Sequence, residues 1–177
     1  GRVEELEKIL FKTPSNGNIG IGHVRWATHG VPNVANAHPH SSEKVSVVHN
    51  GIIENSDEIK KDLEKKGLQF KSQTDTEVIT LLLTETLKEN QPLDSVFKTL
   101  EKLKGSFALG IIFKDFSDII IGARRGSPLA VGFSKDENYL GSDSYALKSM
   151  TNKISYLDDG EVCVLSKDNV NFYNSNN

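Results

Sequence analysis

The chain has 177 residues, and 21 Lys and Arg against 24 Asp and Glu leave a net charge of −3 at pH 7. That length suits one domain, and 37% hydrophobic with 25% charged residues is the balance of a globular one. With no basic surplus, binding to nucleic acid through phosphate neutralisation is disfavoured. No apolar run is long enough to span a bilayer. The opening GRVEELEKIL is charged and helical in character, unlike a signal peptide. The single cysteine, Cys163, excludes an internal disulfide framework and a multi-cysteine zinc site. The expectation is a cytoplasmic protein with no membrane and no nucleic-acid partner.

In chain order, residues 2–12 predict an amphipathic helix with Val3, Leu6 and Leu10 on one face. Residues 19–26 alternate as a strand, and 44–49 as another running into Asn50-Gly51. Asn55 with Glu58 resembles a capping box for a helix ended by Gly67. Asp75 precedes a well-buried helix, and Pro92 opens the next. From Gly105 onward, short strands (GSFALGIIF, DIIIGARR, LAVGFS, NYLGS, KISYL, EVCVLS and VNFYN) alternate with the turns KDFSD, GSP, KDEN, DDG and KDN. Turns this short join antiparallel strands. The class is α+β, and the missing strand–helix alternation argues against a doubly wound sheet.

All five histidines (His23, His29, His38, His40 and His49) fall within 23–49, beside Arg25 and Trp26. His29, His38 and His40 are candidate metal ligands. However, neither a helical His-x-x-x-His pair nor a nearby carboxylate pair supports that reading. Gly20-Ile21-Gly22 lacks the third glycine of a dinucleotide fingerprint. Cys163 is either a nucleophile or a small residue packed in a sheet; EVCVL has no basic or histidine neighbour and favours packing. On local pattern alone, Asn50-Gly51 reads as a hairpin turn, Asp75 as a helix N-cap and Trp26 as core.

Taken together, Arg25-Trp26-Ala27-Thr28-His29-Gly30, Asn36-Ala37-His38-Pro39-His40, His49-Asn50-Gly51-Ile52-Ile53-Glu54-Asn55 and Thr74-Asp75-Thr76-Glu77-Val78 are more specific than any one alone. In this order, with Gly126-Ser127-Pro128-Leu129 and Ser142-Asp143 following, the sequence resembles the glutaminase domain of glucosamine-6-phosphate synthases, a class II glutamine amidotransferase domain. The resemblance runs along essentially the whole chain. It implies a four-layer αββα sandwich of the N-terminal-nucleophile hydrolase type, with antiparallel sheets.

The implied activity is transfer of the glutamine amide nitrogen to fructose 6-phosphate, giving glucosamine 6-phosphate and glutamate. The implied partners are L-glutamine, fructose 6-phosphate through an isomerase domain that is not in this sequence, and a second copy in a homodimer. No cofactor or metal is implied. Arg25 would clamp the glutamine α-carboxylate and Asp75 the α-ammonium. The Asn50 side-chain amide and the Gly51 N–H would form the oxyanion hole. Trp26, Thr28 and His29 match a loop closing over glutamine, and His38 matches a supporting position beside it. The resemblance also implies a nucleophilic cysteine at the N-terminus of the mature domain, activated by its own amine. This sequence begins Gly1-Arg2-Val3 and matches from a few dozen residues into that domain. Residues 1–177 are therefore expected to be a glutaminase domain incomplete at its N-terminus, inactive alone. The alternatives are a module that senses glutamine without cleaving it, or the glutaminase domain of another class II amidotransferase, such as the phosphoribosyl-pyrophosphate type.

Overall fold

The computed structural model describes residues 3–24 and 31–174. Two antiparallel sheets stack face to face. The larger comprises β1 (His40–Ser41), β2 (Val45–Ile53), β3 (Gly105–Phe113), β4 (Phe116–Arg125), β8 (Val162–Leu165) and β9 (Val170–Tyr173), in that spatial order. The smaller has β5 (Ala130–Phe133) between β6 (Asn138–Gly141) and β7 (Lys153–Tyr156). Helices α2 (Ser56–Lys65), α3 (Asp75–Thr86) and α4 (Pro92–Leu100) cover the outer face of the large sheet. The single turn α5 (Ser144–Leu147) lies on the outer face of the small one, where Leu147 sits over Gly132 and Gly141. This is the expected four-layer αββα arrangement.

Strand alternation sorts the side chains into two cores. Val45, Val47, Ile53, Leu109, Ile111 and Ile121 point towards the helices and meet Val78, Ile79, Leu82, Leu83 and Val96. Between the sheets, Ala108, Cys163 and Leu165 meet Leu129, Val131 and Leu157. Helix α3 lies between α2 and α4 and is buried at most positions, as its near-continuous apolar run VITLLL requires. Pro92 stands at the start of α4, where its missing N–H costs no helical bond.

Two local expectations are overturned. Residues 19–24 form no strand. A strand needs a partner ladder for its N–H and C=O groups, and among the described residues none runs beside this segment. It lines a cleft with Val48, Gly110 and Leu140 instead. Asn55 makes no capping bond to α2. Its amide donates to the Lys102 carbonyl at 2.9 Å and its oxygen accepts from the Lys104 N–H at 2.8 Å, tying the end of β2 to the start of β3. Helix α1 (Val3–Lys12) forms where expected but buries none of its residues. The charges at its ends, Glu4 and Glu5 against Lys12, complement the helix dipole.

β2 and β3 approach closely at Gly105, which has φ +112° and would place a Cβ 2.3 Å from the Ile52 carbonyl oxygen. Gly105→Ala meets both a disfavoured backbone region and a backbone collision that no rotamer relieves. It is expected to lower unfolding free energy by about 2 kcal/mol or more, measured by urea denaturation against the unsubstituted chain.

Candidate functional site

The pleat of β2 divides two adjacent residues between two layers. His49 points to the helices, and its Nδ1 lies 3.0 Å from the Thr76 hydroxyl on α3. Asn50, one residue on, faces the space between the sheets with Val48, opposite Ala108 of β3. The Asn-Gly pair is therefore not a hairpin turn, since β2 runs through it to Ile53. Gly51 is nonetheless required, because at φ +131° a Cβ would come within 2.0 Å of the Ser106 carbonyl oxygen. This distorted step lies beside a cleft of ≈ 390 Å³ lined by Gly22, His23, Asn50, Ala108, Leu140 and Ser142, among others.

A second element reaches the same strand. Thr74, not Asp75, is the N-cap of α3; it is extended and makes no side-chain capping bond. Asp75 opens the helix, and its Oδ2 accepts the Ile53 N–H at 2.8 Å. Gly51 and Ile53 are two residues apart, roughly 7 Å of strand, so a buried carboxylate is fixed close to the Asn50-Gly51 step. Among the described residues Asp75 has no ion-pair partner, which leaves its charge available to an ammonium group.

The approach to α3 is held by polar side chains. Glu77 accepts from the Lys71 N–H at 2.8 Å and from the Ser72 N–H and hydroxyl, both at 2.6 Å. Buried Asn36 accepts the Gln73 N–H at 2.9 Å and donates to the Val31 carbonyl at 3.0 Å. The His40 Nε2 and Thr74 Oγ1 are 2.8 Å apart. His38 places its Nε2 3.0 Å from the Thr76 hydroxyl and stacks on His23 with ring centroids 4.4 Å apart. His23 in turn lies 2.7 Å, Nε2 to Oδ1, from Asn50. Four of the five histidines thus gather around β2 and the start of α3. Among the described residues no three His, Cys, Asp or Glu groups are placed to hold a metal ion.

Residues 23–149 match the glutamine amidotransferase domain family. The chain belongs to this family. Over 171 residues it is 51% identical to the glutamine–fructose-6-phosphate aminotransferase (isomerizing) of Zymomonas mobilis, covering 96% of this chain and 28% of that protein. The protein of the same name from Bartonella henselae is 46% identical over 178 residues, covering 100% of this chain and 29% of its own length. The glutamine amidotransferase domain therefore spans less than a third of the relatives it matches. Among solved structures, the glutamine phosphoribosylpyrophosphate amidotransferase of Bacillus subtilis superposes with a TM-score of 0.71 at 26% identity, over 86% of this chain and 34% of that one. A glutamine aminotransferase class-II domain protein from Silicibacter pomeroyi shares the fold, with a TM-score of 0.60 at 16% identity over 80% of this chain and 72% of its own.

Of the residues singled out from sequence, Asn50, Gly51, Asp75 and His38 converge on one end of β2. Arg25, Trp26, Thr28 and His29 lie outside the described residues. The sequence pattern assigns no site role to His23 or Thr76, because contacts spanning 27 and 38 positions leave no local signal. The amidotransferase domain's one cysteine is remote from this cluster in kind as well as place. Cys163 is fully buried in β8 opposite Gly122, and burial pushes its thiol up to about 12. A thiol held protonated is neither nucleophile nor base at neutral pH.

Because the folded thiol titrates above its unfolded value of about 8.5, the unfolded chain releases this proton first as pH rises. The associated stability is intact below about pH 8.5 and declines as pH rises through about 12. Cys163→Ala should flatten that alkaline decline in thermal unfolding. Iodoacetamide should leave native Cys163 unmodified and label it only after denaturation. Rapid native labelling at pH 7 would contradict the assigned burial.

Proposed function

We propose that this domain is the glutamine-binding and hydrolysing part of a glutamine–fructose-6-phosphate aminotransferase. The observation that carries the reading is the convergence on β2 of Asn50, Gly51 and the Asp75 carboxylate. Free glutamine has an α-carboxylate, an α-ammonium and a side-chain amide. A site selecting it needs a cation, an anion and donors for the oxygen that becomes negative on attack. Arg25 takes the carboxylate in bidentate fashion. Asp75 takes the ammonium. The Asn50 side-chain amide and the Gly51 N–H donate to the tetrahedral oxyanion, while Trp26, Thr28 and His29 close over the substrate and His38 supports the wall.

In the complete reaction a cysteine thiolate attacks the amide carbon and the oxygen takes up the negative charge. Collapse of that intermediate breaks the C–N bond and releases ammonia as the nitrogen is protonated. Water then hydrolyses the thioester to glutamate. Cys163 cannot supply the thiolate, being sealed between the sheets. The residues of this chain bind and polarise glutamine, and the nucleophile is the N-terminal cysteine that the family resemblance implies. The ammonia passes to fructose 6-phosphate in an isomerase domain, within a homodimer. The 51% identity to an aminotransferase, against 26% to the phosphoribosylpyrophosphate enzyme, favours the amino-sugar acceptor. A second reading rests on the buried thiol: a module that binds glutamine without cleaving it.

Titration calorimetry on the chain as it stands should show glutamine binding. Arg25→Ala or Asp75→Ala should weaken it roughly 10- to 100-fold, as expected for the loss of one charged hydrogen-bonding partner; unchanged affinity in both would remove the clamp. Ammonia release should be undetectable. In a full-length, cysteine-containing aminotransferase carrying this domain, Asn50→Ala should lower kcat by roughly 10²–10³ with little change in the KM for glutamine. A catalytically silent full-length form that still binds glutamine would instead support the sensing module.

A further inference from the structure

An amide side chain is a useful oxyanion donor only if its NH2 group, and not its oxygen, faces the substrate. The two ends of Asn50 are nearly identical in shape, so a neighbour must choose between them. That neighbour is His23, whose Nε2 lies 2.7 Å from the Asn50 Oδ1. We propose that His23 is a positioning residue for the oxyanion hole, donating its Nε2–H to Asn50 Oδ1 and so turning the Asn50 NH2 into the cleft. This rests on the oxyanion role of Asn50 given above.

Three observations support the assignment. The bond is short for a neutral pair, within the range of a well-made hydrogen bond. The ring cannot swing away easily, because it stacks on His38 at 4.4 Å with planes 24° apart, and His38 is itself hydrogen-bonded to Thr76 at the start of α3. Finally, the His23 Nδ1 is buried without a hydrogen-bond partner among the described residues. A proton on Nδ1 would leave a buried N–H without an acceptor, which costs its desolvation, and would make Nε2 an acceptor. Asn50 would then rotate to donate to it and present its oxygen to the cleft, where it would repel a developing oxyanion. The tautomer of His23 therefore decides the sign of the dipole that Asn50 offers to substrate. In this assignment His23 acts through Asn50.

Two measurements test this. Nitrogen-15 NMR of the imidazoles in the chain as it stands should show His23 protonated at Nε2 and bare at Nδ1; a neutral ring protonated at Nδ1 would overturn the proposal. In the full-length, cysteine-containing form, His23→Phe keeps the stacking ring and removes the donor. It should lower kcat by roughly 10- to 100-fold, the scale of a misplaced donor, while the KM for glutamine holds. His23→Gln, whose amide N–H can reach Oδ1, should recover most of that loss. An unchanged kcat in His23→Phe, beside a strong loss in Asn50→Ala, would sink the positioning role and leave the oxyanion role standing. A full kcat in Asn50→Ala would sink both. If His23→Phe fails to fold, the tautomer in the unsubstituted chain still decides.

Discussion

The hydrogen bond from the Ile53 N–H to Asp75 joins the two elements on which the site depends, a central strand and the first turn of the most deeply buried helix. Each partner is fixed by a separate body of packing. β2 lies between β1 and β3, and its helix-facing side chains are sealed under α3. α3 is held by Ile79 and Leu83, both fully buried, and its approach is clamped by Glu77 and Asn36. A carboxylate held this way cannot follow a ligand by moving, so any ligand has to come to it. Such preorganisation lets an electrostatic contact act without the cost of reorienting dipoles at the moment of reaction.

The same strand shows why β structure suits this chemistry. Period-two alternation sends His49 into the polar network around Thr76 and Asn50 into the cleft, with no loop to order in between. A side chain on a paired strand is positioned by its ladder, here the pairing of His49 and Asn50 with Leu109 and Ala108 of β3, whereas one on a surface loop has to be ordered by contacts of its own. The glycine at position 51 is the cost of bringing β3 so close. Its φ of +131° and the Ser106 carbonyl beside it leave no space for any side chain at the step where the second oxyanion donor is assigned.

Much of the fold was legible in the sequence. β3 was readable to the residue from its apolar run, and the turns after it from their Asp, Asn, Gly and Pro content. Where the fold departs from local pattern, one cause recurs: tertiary partners decide. Residues 19–26 alternate like a strand, yet residues 19–24 find no ladder to join. Asn55 has capping chemistry but bonds across to the α4–β3 connection. Asn50-Gly51 has the composition of a turn, but pairing with Ala108 and Phe107 draws it into the sheet. For the candidate site, the residues come from the family resemblance carried by the motifs around Arg25, His38, Asn50 and Asp75, not from local pattern. The histidine stack was not legible, since nothing in the spacing of His23, His38 and Asn50 says that they meet.

The position of the lone cysteine separates two requirements that an active thiol must meet together. A nucleophilic sulfur needs solvent or a base to take its proton and an open path to its target. Cys163 has neither, being walled by Gly122 and the inter-sheet core. What suits it to β8 is its size: at Gly122 a Cβ would already stand 2.7 Å from its Sγ, so the two positions are matched small-to-small across the ladder. The space between the sheets is thus divided by packing. It is closed around Cys163, where apolar side chains from both sheets interlock, and open at the end of β2, where Asn50 and His23 line the cleft. Of these two regions, the open end is the one where polar side chains can reach a ligand.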